Sequence, residues 1–178
     1  MAENDVEKKS RTQGWVDKLK ALSAKIPGLA EFQARDDLRE QDKLLRDYTA
    51  QKIDSIKVGI DGVKRALVDQ LMLKPLPALD RLTQQLDRLR DKHRFAARGY
   101  SGAFDVKQVL DPELQKLYET DLAILEKTEA IAKNCDVLCA AAVDENSVNV
   151  TVASLRTDIG ALAQLIDNRD DAVRKIGL

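Results

Sequence analysis

The chain has a single histidine, His93, among its 178 residues. One histidine excludes a three-histidine zinc site, and a Ser-His-Asp triad would depend on His93 alone. His93 falls on an apolar stripe near the end of a helical pattern, where a cation also suits the negative end of the helix dipole. We therefore expect His93 to be a packing or capping residue in preference to a catalytic or ligating one.

The two cysteines, Cys135 and Cys139, lie four residues apart and so share one helix face. They could supply two thiolate ligands, with His93 or a carboxylate completing a metal site. Their spacing is not that of a zinc knuckle, and the chain has no second pair. Three alanines follow at 140–142, and unoxidised cysteine often acts as a small buried side chain. We expect the pair to belong to the core, and we expect no metal and no cofactor.

The remaining chemical motifs argue against an enzyme. A di-iron bundle needs Glu-x-x-His on two helices, but Arg90 stands three residues before His93. The chain also lacks the GxxxxGK[ST] phosphate loop and the GxSxG nucleophile turn. The carboxylates alternate with Lys and Arg at helical spacing, as on a solvated face. These patterns predict a non-enzymatic protein.

The stretch "RFAARGYSGAFD", residues 94–105, interrupts the helical periods and supports two hypotheses. As a joint, its first glycine ends a helix in the left-handed conformation and its aromatic residues plug the end of a bundle. As a pocket, its arginines, tyrosine and serine surround an anion. We favour the joint because it explains every residue type without a ligand. The candidate loop site comprises Arg94, Arg98, Gly99, Tyr100, Ser101, Gly102, Phe104 and Asp105.

A basic amphipathic helix is predicted near the N-terminus, at about residues 12–26. Its apolar residues recur at spacings of four, three and four, and lysines surround them. Such a helix can lie in a membrane interface, dock into a groove of a partner, or fold back onto its own bundle. The candidate membrane or partner contacts are Trp15, Lys18, Leu19, Lys20, Leu22, Lys25 and Ile26.

The composition indicates long helices in one soluble domain. Charged residues make up 33% of the chain and aromatic residues only 4%, and the net charge is −1. Neither nucleic acid nor a membrane is favoured by that net charge, and the scarcity of aromatic residues argues against nucleic-acid binding. The N-terminal sequence lacks the apolar core of a signal peptide, and no apolar run approaches the roughly 20 residues of a membrane span. A cytoplasmic location is expected.

Leucine and isoleucine seams at three-four spacing predict an all-α fold, an antiparallel bundle of four main helices with a long second helix and a short N-terminal amphipathic helix. We expect Gly59 and Gly62 to mark a bend or a close helix approach, and the "LKPLP" segment to break a helix. Residues 144–151, "DENSVNVT", are expected to form a polar joint. The predicted organisation is a disordered tail at 1–10, the basic amphipathic helix at 11–28 and the bundle domain at 29–178.

The first half of the long helix is mostly charged and carries a thin apolar stripe of Leu38, Leu45 and Tyr48. We expect this half to project beyond the bundle. Because the apolar stripe would then be exposed to solvent, this half of the helix would offer a binding surface to a partner protein.

Four segments together resemble a family of small bacterial helical proteins with no established activity. They are "KIPGLAEF" (25–32), "REQDKLLRD" (39–47), "HRFAARGYSGAFD" (93–105) and "LYETDLAILE" (117–126). The family has an Ile-Pro-Gly start, an Asp-Lys-x-x-Arg segment and a Gly-Tyr-Ser-Gly-x-Phe-Asp joint; this chain departs from it in lacking a second Gly-Tyr after Ile-Pro-Gly. The resemblance implies no catalytic residues. It implies an association with bacterial membrane-stress and envelope proteins.

These patterns lead to one main functional hypothesis and one alternative. The main hypothesis is a non-enzymatic scaffold or adaptor for protein–protein assembly, with a homo-oligomer and an anionic surface at the cytoplasmic membrane face as candidate partners. The alternative is a small-molecule or metal sensor bundle that uses the 94–105 loop.

Overall fold

A computed structural model describes residues 24–28, 38–96, 112–141 and 144–176 of the chain. These residues form four helices and no strand: α1 (Leu38–Asp69), α2 (Leu76–Arg94), α3 (Pro112–Ala141) and α4 (Glu145–Ile176). The predicted all-helical bundle is therefore confirmed, and the helix predicted to be the long one, α1, has 32 residues, the same length as α4. The N-terminal segment before residue 24 lies outside the described residues.

The connection between α1 and α2 is a tight turn that the prolines help to define. The N–H of Met72 donates to the carbonyl of Leu67 at 2.9 Å, and the N–H of Leu71 donates to that of Val68 at 3.0 Å. This pair of bonds is a Schellman motif, whose left-handed position is occupied here by Leu71 with φ 59°. Pro75 then precedes the first residue of α2. The predicted helix break at "LKPLP" is confirmed.

The start of α4 corrects one sequence prediction. Residues 145–151 were expected to form a polar joint but are helical. Asp144 caps this helix, since its Oδ2 accepts hydrogen bonds from the N–H of Ser147 at 2.9 Å and from its hydroxyl at 2.7 Å. Val148 and Val152 are buried and continue the seam of Leu155 by about two further turns. The polar residues between them lie on the solvent side.

The four helices surround a long apolar interior. Each packs on two neighbours: α1 on α2 and α3, and α4 on α2 and α3. We call the larger cluster the main core; it follows the seams of all four helices. Its members include Ile53, Ile60, Leu67, Leu79, Leu86, Ile131, Leu138, Leu155, Leu162 and Ile166.

A smaller cluster, the end core, lies beyond the point where α2 ends. It consists of Ile26, Leu45, Leu117, Leu125 and Val173, with Leu44, Tyr48 and Leu122 packed against it. The expected projection of α1 beyond the bundle is therefore wrong for the described residues, because α3, α4 and Ile26 cover Leu45. The side chain of Leu38 lies outside the described part of the structure.

One of the two glycines inside α1 marks a close approach. A Cβ atom built on Gly59 would lie 3.0 Å from the Sγ atom of Cys135 on α3, whereas one built on Gly62 meets nothing within 4 Å. The expected close packing thus occurs at Gly59 and not at Gly62.

Candidate functional site

A buried ionic network lies beside the end core, and its members come from α1, α3 and α4. Its centre is Arg169 of α4, which has no exposed surface. The Nε of Arg169 donates to Oδ1 of Asp121 on α3 at 2.6 Å, and its Nη2 donates to Asp42 on α1. Because α1 and α4 are not neighbours in the bundle, Arg169 links these two helices through its centre.

Arg46 extends this network to the end of α2. Its Nη2 donates to Oδ2 of Asp42 at 2.7 Å. Its Nη1 donates to the carbonyl oxygens of Arg94 at 3.1 Å and Ala96 at 2.9 Å. The last carbonyls of a helix have no partner within the helix, and a basic side chain satisfies them well. Arg46 therefore holds the end of α2 against α1.

His93 is buried beside these arginines, with 1% of its surface exposed. Neither ring nitrogen has a hydrogen-bond partner among the described residues. Burial, with the positive charges of Arg169 and Arg46, lowers the pKa of His93 to about 3. The ring is thus neutral near pH 7, and its burial supports the packing interpretation.

The pKa of the Asp121 carboxyl group is shifted in the opposite direction to that of His93, since it is raised. Burial raises its pKa to about 6, although the neighbouring charge of Arg169 favours the ionised form. The side chain of Asp121 is 1% exposed. Both titratable groups are thus enclosed within the bundle.

The cysteines do not join His93 in a common site. Cys135 is buried in the main core, where its thiol lies 3.7 Å from the carbonyl oxygen of Ile56, and burial raises its pKa to about 12. Cys139 is exposed. Ile56 is ten residues beyond Arg46, a rise of about 15 Å along α1. Among the described residues no group of His, Cys, Asp and Glu side chains could hold a metal ion.

A cavity of about 380 Å³ opens next to the end of α2. It is lined by Lys43, Arg46, Asp47, Arg94, Phe95 and Ala96. Arg94 is the one member of the predicted loop site that falls within the described residues, and its Nε donates to Oδ1 of Asp47 at 3.1 Å. Arg98, Gly99, Tyr100, Ser101, Gly102, Phe104 and Asp105 lie outside them.

Sequence reasoning missed the α1 side of this cavity. Lys43 and Arg46 belong to the segment "DKLLR", and Arg94 belongs to "HRFAARGYSGAFD", so two of the segments quoted for the family resemblance meet here. Their joint presence among those segments was thus a signal that could have pointed to the site. Helical periodicity alone gave no signal for this site, because a charged helix face has the same sequence pattern whether it is solvated or lines a cavity.

The predicted membrane or partner contacts are described only at their last two residues. The Nζ of Lys25 lies 2.8 Å from Oε2 of Glu129 on α3. Ile26 is 1% exposed and packs in the end core, as expected if the predicted helix folds back onto its own bundle. Trp15, Lys18, Leu19, Lys20 and Leu22 lie outside the described residues.

A second candidate surface lies at the turn between α1 and α2. Val68, Leu71 and Leu73 are all exposed there, and we call these three residues the hairpin tip. A groove of about 510 Å³ adjoins the tip between α1 and α2. Its lining combines the apolar Val68 and Leu76 with the charged Asp61, Lys64, Arg65, Asp69 and Asp80.

Comparison with known proteins gives the chain no relative: no family model matches it, and no curated protein or solved structure is similar to it. The family resemblance of the sequence segments therefore stays a prediction. Within the described residues, none of the four helices combines the length and the hydropathy that a membrane crossing requires.

Proposed function

We propose that this protein is a non-enzymatic helical module for protein–protein assembly, and that the hairpin tip is its partner surface. The observation that carries the proposal is Leu71. Its backbone is left-handed, which costs a non-glycine residue about 1–2 kcal/mol, and 83% of its surface is exposed. Glycine would form the same turn without that cost. A large apolar side chain held in this way is explained if another protein covers it.

The groove beside the tip supports the same proposal. Its lining combines apolar and charged residues, as protein interfaces do. Lys64 already pairs with Asp61 and Asp80, each at 2.8 Å, so the charge of the lining is partly neutralised. The partner that fits is an amphipathic helix whose apolar side chains enter the groove and cover Leu71.

The variant Leu71→Gly tests this function without weakening the fold. It removes the apolar side chain and also relieves the left-handed strain, so the free energy of unfolding should stay the same or rise by about 1 kcal/mol. Tagged wild-type protein and Leu71→Gly would be purified from the native host, with Val150→Ala as the matched control. Val150 is an apolar residue on α4 that is 71% exposed.

We expect a stoichiometric protein, or a second copy of the chain, to accompany wild type and Val150→Ala and to be lost from Leu71→Gly. Analytical ultracentrifugation distinguishes a second copy from a different protein. If the two variants retain the same protein to the same extent, or if wild type carries none, the hairpin tip is not the assembly surface.

The non-enzymatic part of the proposal is supported by the environment of the histidine and of one of the two cysteines. His93 is enclosed with a lowered pKa, and Cys135 is enclosed with a raised pKa. Neither is accessible to a substrate in this arrangement. Both act as packing residues in the proposed module.

For the finer fold, we propose antiparallel hairpins and a short helix at 11–26. Lys64 pairs with Asp80 near the turn, and Asp47 pairs with Arg94 far from it. Residues late in α1 thus pair with residues early in α2, and residues early in α1 pair with residues late in α2. This is the pattern expected if the two helices run in opposite directions. Residues 24 and 25 are helical, as the end of the proposed N-terminal helix would be.

A cytoplasmic location at the inner membrane face is the remaining element of the proposal. Lys25 and Ile26 lie on the bundle, so the segment that would contact lipid is 11–23. Its test is sedimentation with vesicles containing anionic lipid, using the full chain and a chain that begins at residue 24. Pelleting of the full chain alone supports membrane contact, whereas equal behaviour of the two chains removes it.

A further inference from the structure

The geometry at the end of α2 points to a binding site for a small organic anion. We propose that Lys43 and Arg94 hold its carboxylate or phosphate group and that Phe95 packs against its apolar part. The site is the cavity of about 380 Å³ between α1 and the end of α2. A ligand of this kind is not required for the assembly function, so the inference goes beyond it.

The charges around the cavity leave one positive charge without a partner. Four cations (Lys43, Arg46, Arg94 and Arg169) accompany three anions (Asp42, Asp47 and Asp121) among the described residues, a net charge of +1. Asp42 and Asp121 hold Arg169, Asp42 also holds Arg46, and Asp47 holds Arg94. His93 adds no charge near pH 7. Lys43, which is exposed, has no ion pair in the described part of the chain, and one monoanion would balance it.

The carbonyl end of a helix normally repels an anion, because it is the negative end of the helix dipole. Here Arg46 removes much of that repulsion. Its guanidinium donates to the carbonyl oxygens of Arg94 and Ala96 and is itself buried. The cavity is therefore lined by nitrogen donors, by a neutralised helix end and by one carboxylate, Asp47, whose charge is balanced by Arg94, and an oxyanion can bind to the donors.

Phe95 gives the site an apolar side. It follows the last residue of α2, lines the cavity and is 77% exposed. Ligand sites commonly combine apolar surface with a few polar groups that fix orientation. An aromatic or aliphatic anion would cover the Phe95 ring, whereas inorganic phosphate would not.

The cavity and the hairpin tip are far apart. They lie at opposite ends of α2, whose 19 residues span about 28 Å. Ligand binding can therefore be measured without any assembly partner. Failure of one proposal leaves the other standing.

The experiment is calorimetric titration of the full chain with phenyl phosphate, benzoate and inorganic phosphate, each in a buffer free of other oxyanions. We expect one saturable site for an aromatic anion, with a Kd at least about tenfold lower than that for inorganic phosphate. The tighter of phenyl phosphate and benzoate identifies the group that the site prefers. Benzyl alcohol, which has the ring but no charge, should not bind.

Two variants and one control locate the binding. Lys43→Gln should raise the Kd of the aromatic anion at least about tenfold. Phe95→Ser should reduce the affinity for the aromatic anion to that for inorganic phosphate. Lys74→Gln, which removes a lysine that is 84% exposed near the hairpin tip, should change nothing. All three positions are exposed, and circular dichroism verifies that the variants are folded. The proposal is overturned if no aromatic anion saturates below about 10 mM, or if Lys43→Gln and Lys74→Gln bind alike.

Discussion

Arg169 is the residue on which the buried ionic network depends. It neutralises Asp42 and Asp121, both almost completely buried. Replacing Arg169 by Met keeps much of the volume but leaves the enclosed Asp121 without its counter-charge and Asp42 with Arg46 alone. Because removing one partner of a buried ion pair costs about 3–5 kcal/mol, we predict a loss of that size in the free energy of unfolding, measured by urea denaturation.

The matched control for Arg169→Met is Lys127→Met. Lys127 also pairs with an aspartate of another helix, Asp158 at 3.1 Å, but both side chains are partly exposed. Partly exposed pairs contribute less than about 1 kcal/mol. If the two variants lose similar stability, burial of the Arg169 network is not what makes it important.

His93 makes the stability of the protein depend on pH in a predictable direction. Its pKa is about 3 in the folded chain, against 6.5 for the free side chain, because of its burial and the charges of Arg169 and Arg46. The unfolded chain therefore binds more protons than the folded chain between these two values. The stabilising contribution is present above pH 6.5 and is lost as the pH falls towards 3.

His93→Leu should remove that acid sensitivity. From pH 7.5 to pH 4.5, the unfolding free energy of the variant should rise relative to wild type by about 2–3 kcal/mol. Urea midpoints of both proteins at the two pH values give this difference, and the carboxylates that titrate in both largely cancel. A constant difference between variant and wild type would show that His93 does not remain neutral in the folded protein.

The sequence anticipated some of these residue roles and missed others. His93 stands on an apolar stripe, which was sufficient to predict packing. Arg169 also stands on a seam, following Leu162 and Ile166 and preceding Val173, but the sequence patterns assigned it no role. Its true surroundings depend on Asp42 and Asp121, which come from other helices. Periodicity along one helix carries no information about which charges meet it from across a bundle.

At the scale of single helices, the two glycines of α1 provide a matched pair. A glycine inside a helix costs about 1 kcal/mol relative to alanine. Gly62 has free space where a Cβ would be placed, so Gly62→Ala should stabilise the protein by about 0.5–1 kcal/mol. At Gly59 the new Cβ would lie 3.0 Å from the buried thiol of Cys135, and the contact should cancel or outweigh the gain.

Thermal or urea unfolding of both single variants measures this difference. Gly59→Ala in combination with Cys135→Ala is the informative third protein, since removal of the Sγ atom makes room for the methyl group. We expect the glycine substitution to be more favourable in the Cys135→Ala background than in wild type. Equal effects of the two glycine substitutions in wild type would contradict the close approach of α1 and α3.

Helix boundaries were predictable where the sequence carries a stop or start signal. Pro75 and Pro77 marked the break between α1 and α2, and Pro112 marked the start of α3. The start of α4 was missed because polar residues occupy its exposed positions. The spacing of Val148, Val152 and Leu155 was the better indicator, since a seam position must be apolar whatever lies beside it.

Across the whole molecule, the structure has two apolar cores, and the buried ionic network lies beside the smaller one. The seams predicted that the helices pack together, but not which helices are neighbours. Seams also could not reveal that α2 stops at Arg94, or that Ile26 packs in the end core. These features arise from contacts between residues far apart in the sequence, such as Arg46 with Ala96 and Lys25 with Glu129.

The two cores should open separately. Among the described residues the end core is much the smaller and lies next to the buried ionic network, whereas the main core involves all four helices. Backbone amides of buried residues near Leu45 and Leu125 should therefore exchange their hydrogens through local opening, at a lower free energy than amides near Ile60 and Leu155.

Ile26→Ala tests this division of the molecule. It shortens a fully buried side chain of the end core, which should lower the opening free energy near Leu45 and Leu125 by about 2–4 kcal/mol. The amides near Ile60 should be affected much less as long as the main core stays folded. Leu86→Ala, in the main core, is the control and should lower protection throughout the bundle. Uniform loss of protection in both variants would mean that the helices unfold as one unit and that the two cores do not open separately.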